Sequence, residues 1–124
     1  MPRPMKIDFV SDVSCPWCVI GLRGLEEALA KTSDVVSAEI QFQPFELNPD
    51  MPAEGRGVVE HLRQAYGAPA SQIATNRANI KVRAEALGFA MSMSEDARMW
   101  NTFDAHRLLH RAEQSGKQHA LKRA

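Results

Sequence analysis

Two cysteines, Cys15 and Cys18, enclose Pro16 and Trp17, and they are the only cysteines in a chain of 124 residues. The apolar run Ile7-Asp8-Phe9-Val10 precedes them, and a helical periodicity follows. A lone dithiol at this spacing, placed after a strand and at the opening of a helix, is the form that a redox-active pair takes in a sequence. It fixes a strand-to-helix junction early in the chain, and the remainder reads as scaffold for that junction.

Composition narrows the class. Fifteen basic and fifteen acidic residues leave zero formal net charge, so no overall field favours nucleic acid or an anionic membrane, and neither is expected as a partner. Hydrophobic residues at 44% and charged ones at 24% fit a soluble chain with one core. No apolar stretch approaches the roughly 20 residues that span a bilayer. Met1 to Lys6 leads into a strand without the apolar core of a signal peptide, which gives a cytoplasmic expectation. In that reducing compartment a cysteine pair is more often catalytic or metal-binding than structural. A disulfide closing so short a loop would also restrict the unfolded chain little.

Met5 to Asp12 reads as a first strand, apolar on both faces through Ile7, Phe9 and Val10. Ser14 offers a helix cap, Pro16 suits a first turn, and Trp17 to Lys31 carries helical periodicity with Cys18, Leu22, Leu25 and Leu29 on one face. Gly21 and Gly24 within this helix imply close packing against a neighbour. Val36, Ala38, Ile40 and Phe42 then alternate with polar residues up to Pro44, the plainest strand signal in the chain. Strand, helix and strand make a βαβ unit with parallel strands. Phe45 to Pro52 is punctuated by prolines and cannot be regular structure. From Gly57 the pattern is helical: Val58 to Tyr66 ended by Gly67, a helix capped by Ser71 with Ile73, Ile80, Ala84 and Leu87 on one face and Gly88 as its stop, and one capped by Asn101 or Thr102 running to Gln114 with Gly116 beyond its end. In the last of these Ala105, Leu108, Leu109 and Ala112 are expected inward. The partition that follows is 1–52, 53–116 and 117–124, the last piece being the start of a further helix.

Three separated motifs in this order carry a resemblance. Phe9-Val10-Ser11-Asp12 with Cys15-Pro16-Trp17-Cys18, then Pro44 to Pro52, then Asn101 to His110, resemble the DsbA-like thioredoxin-fold oxidoreductases of FrnE type. These are relatives of the 2-hydroxychromene-2-carboxylate isomerases and the kappa-class glutathione transferases. The resemblance covers essentially the whole chain and implies an α/β architecture: a thioredoxin-like βαβ unit followed by a helical insertion. It also implies two antiparallel strands, a closing helix and a cis-proline opposite the dithiol, none of which this sequence contains. The C-terminal half of the thioredoxin fold is therefore absent. Because two strands alone rarely make a stable sheet, the chain is expected either to be a piece of a longer protein or to complete its sheet with another copy, as a homodimer or swapped assembly burying Ile40 and Phe42 across chains.

The helix start favours negative charge at Cys15, making it the nucleophile with a lowered pKa, and Cys18 one turn later the buried resolving thiol. Pro16 and Trp17 bring no cation between them, so a weaker oxidant than the strongest of the superfamily is expected, with Trp17 exposed beside the sulfur. Phe45, Asn48 and Pro49 read equally as a stiff linker or as the wall of a substrate cleft beside Cys15. His106 is a further cleft candidate whose plainer role is a border between core and surface, and His110 reads as solvated. A metal site joining the cysteines to His106 and His110 is disfavoured by their distance in sequence, so no metal is expected. No resident cofactor is expected either, with glutathione a candidate co-substrate. The leading function is thiol–disulfide oxidoreductase or isomerase acting on protein or small-molecule thiols and disulfides. The rivals are a glutathione-dependent isomerase or transferase, whose members typically carry serine at the first motif position, and an inactive fragment or assembly module.

Overall fold

The computed structural model describes residues 1–124. In chain order the elements are β1 (Arg3–Ser11), α1 (Pro16–Lys31), β2 (Val36–Pro44), β3 (Arg56–Gly57), α2 (Val58–Tyr66), α3 (Ala70–Ala86), β4 (Arg98–Met99), α4 (Phe103–Gln114) and α5 (Gln118–Arg123). They form two compact units, one of Met1–Pro49 with Thr102–Ala124, the other of Asp50–Asn101.

In the first unit β1 and β2 pair in parallel, from Arg3 opposite Val36 to Ser11 opposite Pro44, with α1 as the connection. The register puts Ile7 opposite Ile40 and Phe9 opposite Phe42. The Phe9 and Phe42 rings meet edge to face at 5.8 Å, a contact that adds to the area both bury. Pro16 occupies the first turn of α1, but the capping position is Cys15 rather than Ser14. The glycines of this helix do not mark close packing. A Cβ at Gly21 would meet only the Phe9 ring, at 3.8 Å, and one at Gly24 would meet open space.

Residues 53–116 are not one helical unit, because α4 returns to the strands. Its buried face is His106 and Leu109, while Leu108, expected inward, is 62% exposed. The inward positions follow the i, i+3 spacing from His106, which turns Leu108 outward. From α5, the Gln118 carboxamide accepts the Phe42 N–H at 3.0 Å and donates to the Phe42 carbonyl at 3.2 Å and to the Leu109 carbonyl at 3.1 Å. One side chain thus occupies the outer backbone edge of β2 at Phe42, the place where an unpaired strand would otherwise seek a partner. Phe42, offered by the sequence for burial across two chains, is only 4% exposed within one.

The second unit is held by an apolar core of Met51, Ile73, Ile80 and Ala84, with His61 also buried. α3 begins at Ala70 with Pro69 as its cap, two residues before the expected cap Ser71. The antiparallel pair β3 and β4, two residues each, has no sequence signal. Gly55 is required beside it: at φ 72° it lies so close to the Met99 carbonyl that a Cβ would fall 2.3 Å from that oxygen.

Candidate active site

The site is built where β1 ends. Asp12 follows the last strand residue and is 2% exposed. Its carbonyl accepts the Cys15 N–H at 3.2 Å, which turns the chain from the strand into α1. Its carboxylate accepts the Leu47 N–H at 2.8 Å and the Ser14 N–H at 3.5 Å, and it also takes a hydrogen bond from the Thr102 side chain. His106 Nε2 lies 3.2 Å from Oδ1. Burial by itself would raise the Asp12 pKa, but these donors outweigh it and hold the carboxyl below its usual range. A carboxylate has no hydrogen to give, so His106 presents Nε2–H to it. The Thr102 bond to the same carboxylate explains why Thr102 caps α4 without bonding that helix through its side chain.

Cys15 caps α1 in an extended conformation, and its carbonyl accepts the Cys18 and Val19 N–H groups at 3.1 and 3.3 Å. Both cysteines are free thiols and both are half-buried, so Cys18 is less enclosed than expected. Trp17 between them is 52% exposed, as anticipated. The expected ionisation of Cys15 is not what the structure shows. Burial, then the hydrogen bond and charge repulsion of the Cys18 thiol, push the Cys15 pKa up to about 11. The amides of Cys18 and Trp17 pull the other way and lose. In the dithiol state the pair therefore rests protonated at Cys15.

Opposite the turn stands a cation that no local pattern announces. Lys122 of α5 donates to Ser11 Oγ at 3.0 Å and lies 5.7 Å from the centre of the Phe42 ring. Burial lowers its pKa, against the attraction of Cys18, Asp12 and Cys15. Ser11, Phe42, Gln43, His106, Gln118 and Lys122 line a small, partly open cleft.

His106 therefore lines a cleft, but as a buried partner of Asp12 rather than a border residue. Phe45 continues the ladder through its N–H to the Ser11 carbonyl at 3.1 Å and exposes its ring. Asn48 is half-buried and Pro49 exposed, and neither lines the Lys122 cleft, which Cys15 and Cys18 do not line either. The loop is nonetheless fixed beside the dithiol turn, because Leu47 and Ser14 share the Asp12 carboxylate. His110 is exposed, and no three His, Cys, Asp or Glu side chains are grouped to hold a metal ion. Sequence reasoning missed Asp12 and Lys122 as site residues. An acidic residue closing a strand that is apolar on both faces is a usable signal for the first, since such a charge must be paired. The second depends on how α5 folds back.

Comparisons with known proteins identify the family and the fold. A family model described as a DSBA-like thioredoxin domain matches residues 6–124. The crystal structure of a probable DsbA oxidoreductase from Streptomyces coelicolor is similar over 94% of this chain, with 33% sequence identity and a TM-score of 0.87. The chain spans 50% of the length of that protein. No curated protein matches.

Proposed function

This chain belongs to the DSBA-like thioredoxin domain family, and from that premise we propose that it carries out thiol–disulfide exchange through Cys15 and Cys18, in the manner of the FrnE-type members. The observation that carries this is the pair itself: two free, half-buried thiols at the cap and first turn of α1, hydrogen-bonded to one another. Family membership supports oxidoreductase chemistry, and the exposed Trp17 and Phe45 rings supply apolar surface beside the sulfurs for a protein or small-molecule partner.

Exchange begins when Cys15 loses its proton and its sulfur attacks one sulfur of a partner disulfide, releasing the other as a thiolate. Cys18, deprotonated in turn, attacks the Cys15 sulfur and releases the second partner thiolate. Two electrons and two protons pass to the partner, and Cys15 and Cys18 are left joined as a disulfide. Run in reverse, the same steps oxidise a partner dithiol. Because Cys15 is pushed up to about 11, the reduced form gains little from ionisation. The couple then belongs on the reducing side of its superfamily, since a strong oxidant is one whose reduced form is stabilised.

Trapping tests this. Cys18→Ser should accumulate a mixed disulfide at Cys15 with a disulfide-bonded peptide, visible by mass, and Cys15→Ser should form none. Unchanged turnover of a glutathione adduct by Cys18→Ser, with no trapped species, would instead favour glutathione-dependent chemistry. A protein in which mild oxidant never joins the two sulfurs overturns the proposal.

A further inference from the structure

We propose that Lys122 is a positioning residue for the dithiol, its ammonium held by Ser11 and the face of Phe42 so as to support the thiolate that forms at Cys15 during exchange. This rests on the exchange reading above and adds the group that makes the first step accessible.

The ammonium is fixed at several points. It donates to Ser11 Oγ at 3.0 Å, and it stands 5.7 Å from the Phe42 ring centre, within reach of a cation–π attraction. Its helix is anchored independently. Gln118 makes three hydrogen bonds to the backbone of Phe42 and Leu109. His119 meets Glu26 of α1 at 2.8 Å and stacks edge to face on Phe42 at 5.4 Å, and Arg123 approaches Glu26 at 3.5 Å. A lysine on a fixed helix, half-buried and bonded to the residue before Asp12, cannot swing into solvent as a surface lysine does.

Charge counting shows what it does there. Asp12 is already an anion, so a thiolate at Cys15 puts a second negative charge beside the first. Lys122 attracts Cys18 most, then Asp12, then Cys15, so its presence reduces the net charge of the activated site from two negative to one. The other ionisable groups around it are His106, His110 and Glu113, which line the same cleft from α4. His106 is hydrogen-bonded to Asp12, and His110 is 3.8 Å from Glu113, so none of them replaces Lys122 opposite the sulfurs.

The test compares Lys122→Gln, which keeps a hydrogen-bond donor for Ser11 but no charge, with Lys122→Arg, in the full chain. The readout is the rate of Cys15 alkylation by iodoacetamide against pH, together with the dithiol–disulfide equilibrium against glutathione. In Lys122→Gln the alkylation profile should move to higher pH by at least about half a unit, a roughly 3-fold slower reaction below the midpoint. The equilibrium at neutral pH, where Cys15 is protonated in parent and variant alike, should stay where it was, and Lys122→Arg should restore the alkylation profile. Profiles of Lys122→Gln that superimpose on the parent, with unchanged circular dichroism, overturn the proposal. Alkylation needs no turnover, so the Lys122 result is readable even if Cys15 and Cys18 prove never to exchange with a partner, in which case only the exchange reading fails.

Discussion

The two units solve the problem of a small core in opposite ways. Asp50–Asn101 buries Met51, Ile73, Ile80 and Ala84 around a single buried polar residue, His61. The unit of Met1–Pro49 with Thr102–Ala124 buries only Leu22, Phe42 and Leu109 among apolar residues, but five polar ones: Ser11, Asp12, Thr102, His106 and Gln118. A core of the first kind is stabilised by removal of apolar area from water and tolerates imprecise contacts. One of the second kind is stable only while each polar group keeps its partner, and here nearly all those partners are distant in sequence. The polar core stands directly under the dithiol, so the unit that bears the chemistry is also the one with least tolerance for change.

The sharpest way to break this contrast is at its hub. Asp12→Ala removes the acceptor shared by Leu47, Ser14, Thr102 and His106, and truncating one partner of a buried network of this kind costs about 3–5 kcal/mol. Ile73→Ala in the other unit costs about 2–5 kcal/mol through lost burial and the cavity left behind. Urea unfolding of the two variants measures both. The distinction lies in pH. Asp12 is held below its unfolded value of about 3.9, so the folded state binds its proton less readily than the unfolded chain does. Its contribution is complete above that value and is lost as pH falls through it toward the lower folded pKa. The parent and Ile73→Ala should therefore share an acid limb in a plot of stability against pH, and Asp12→Asn should lack it. Equal limbs in all three would mean that the buried carboxylate is not what distinguishes this unit.

What the sequence discloses follows the same division. Both long strands, their parallel order, the Pro16 start of α1 and the glycine stops at Gly67, Gly88 and Gly116 are local signals of period, capping and positive φ, and all appear in the structure. The apolar face of α3 through Ile73, Ile80 and Ala84 was legible for the same reason. The face of α4 was legible only in part: Leu109 is inward as read, but Leu108 is not, because the face is also chosen by Asp12 bonding to His106 and Thr102, residues that a hydrophobic pattern assigns to the border. The dithiol was plain from spacing, whereas its ionisation was misjudged from the helix start alone. Burial comes from tertiary packing, and the neighbouring Cys18 thiol adds to it, so that together they overrule the two amides. Asp12 and Lys122 complete the site from opposite ends of the chain, and no window of sequence contains both.

Gln118 tests the contrast on a smaller scale, at the strand edge. Gln118→Ala leaves the Phe42 N–H and carbonyl and the Leu109 carbonyl without the partner they share, at a cost of about 1–3 kcal/mol by urea unfolding. Gln118→Glu keeps the acceptor for the Phe42 N–H but turns a donor toward two carbonyls into a second acceptor, so it should rescue little. Hydrogen exchange at the Phe42 amide reads the local effect: faster in Gln118→Ala, and faster than any change at β1 amides that face β2. Unaltered exchange at Phe42 would show that the β2 edge is closed by something other than this side chain.

The smallest effect has the opposite sign and lies where the polar unit needs no precision at all. Gly24 sits in the middle of α1 with helical backbone geometry, and a Cβ there would meet nothing within 4 Å. Gly24→Ala therefore adds no clash and removes only the extra freedom that glycine has in the unfolded chain, a gain of about 0.5–1 kcal/mol. Gly21→Ala should gain similarly, since its new methyl would touch the Phe9 ring at an ordinary 3.8 Å. Neither residue faces the Asp12 network, so the stability gain should leave the Cys15 alkylation profile where it was. A Gly24→Ala variant that is less stable than the parent would reveal a neighbour packed against this face of α1, which is the one finding that would restore the close contact first inferred from the glycines.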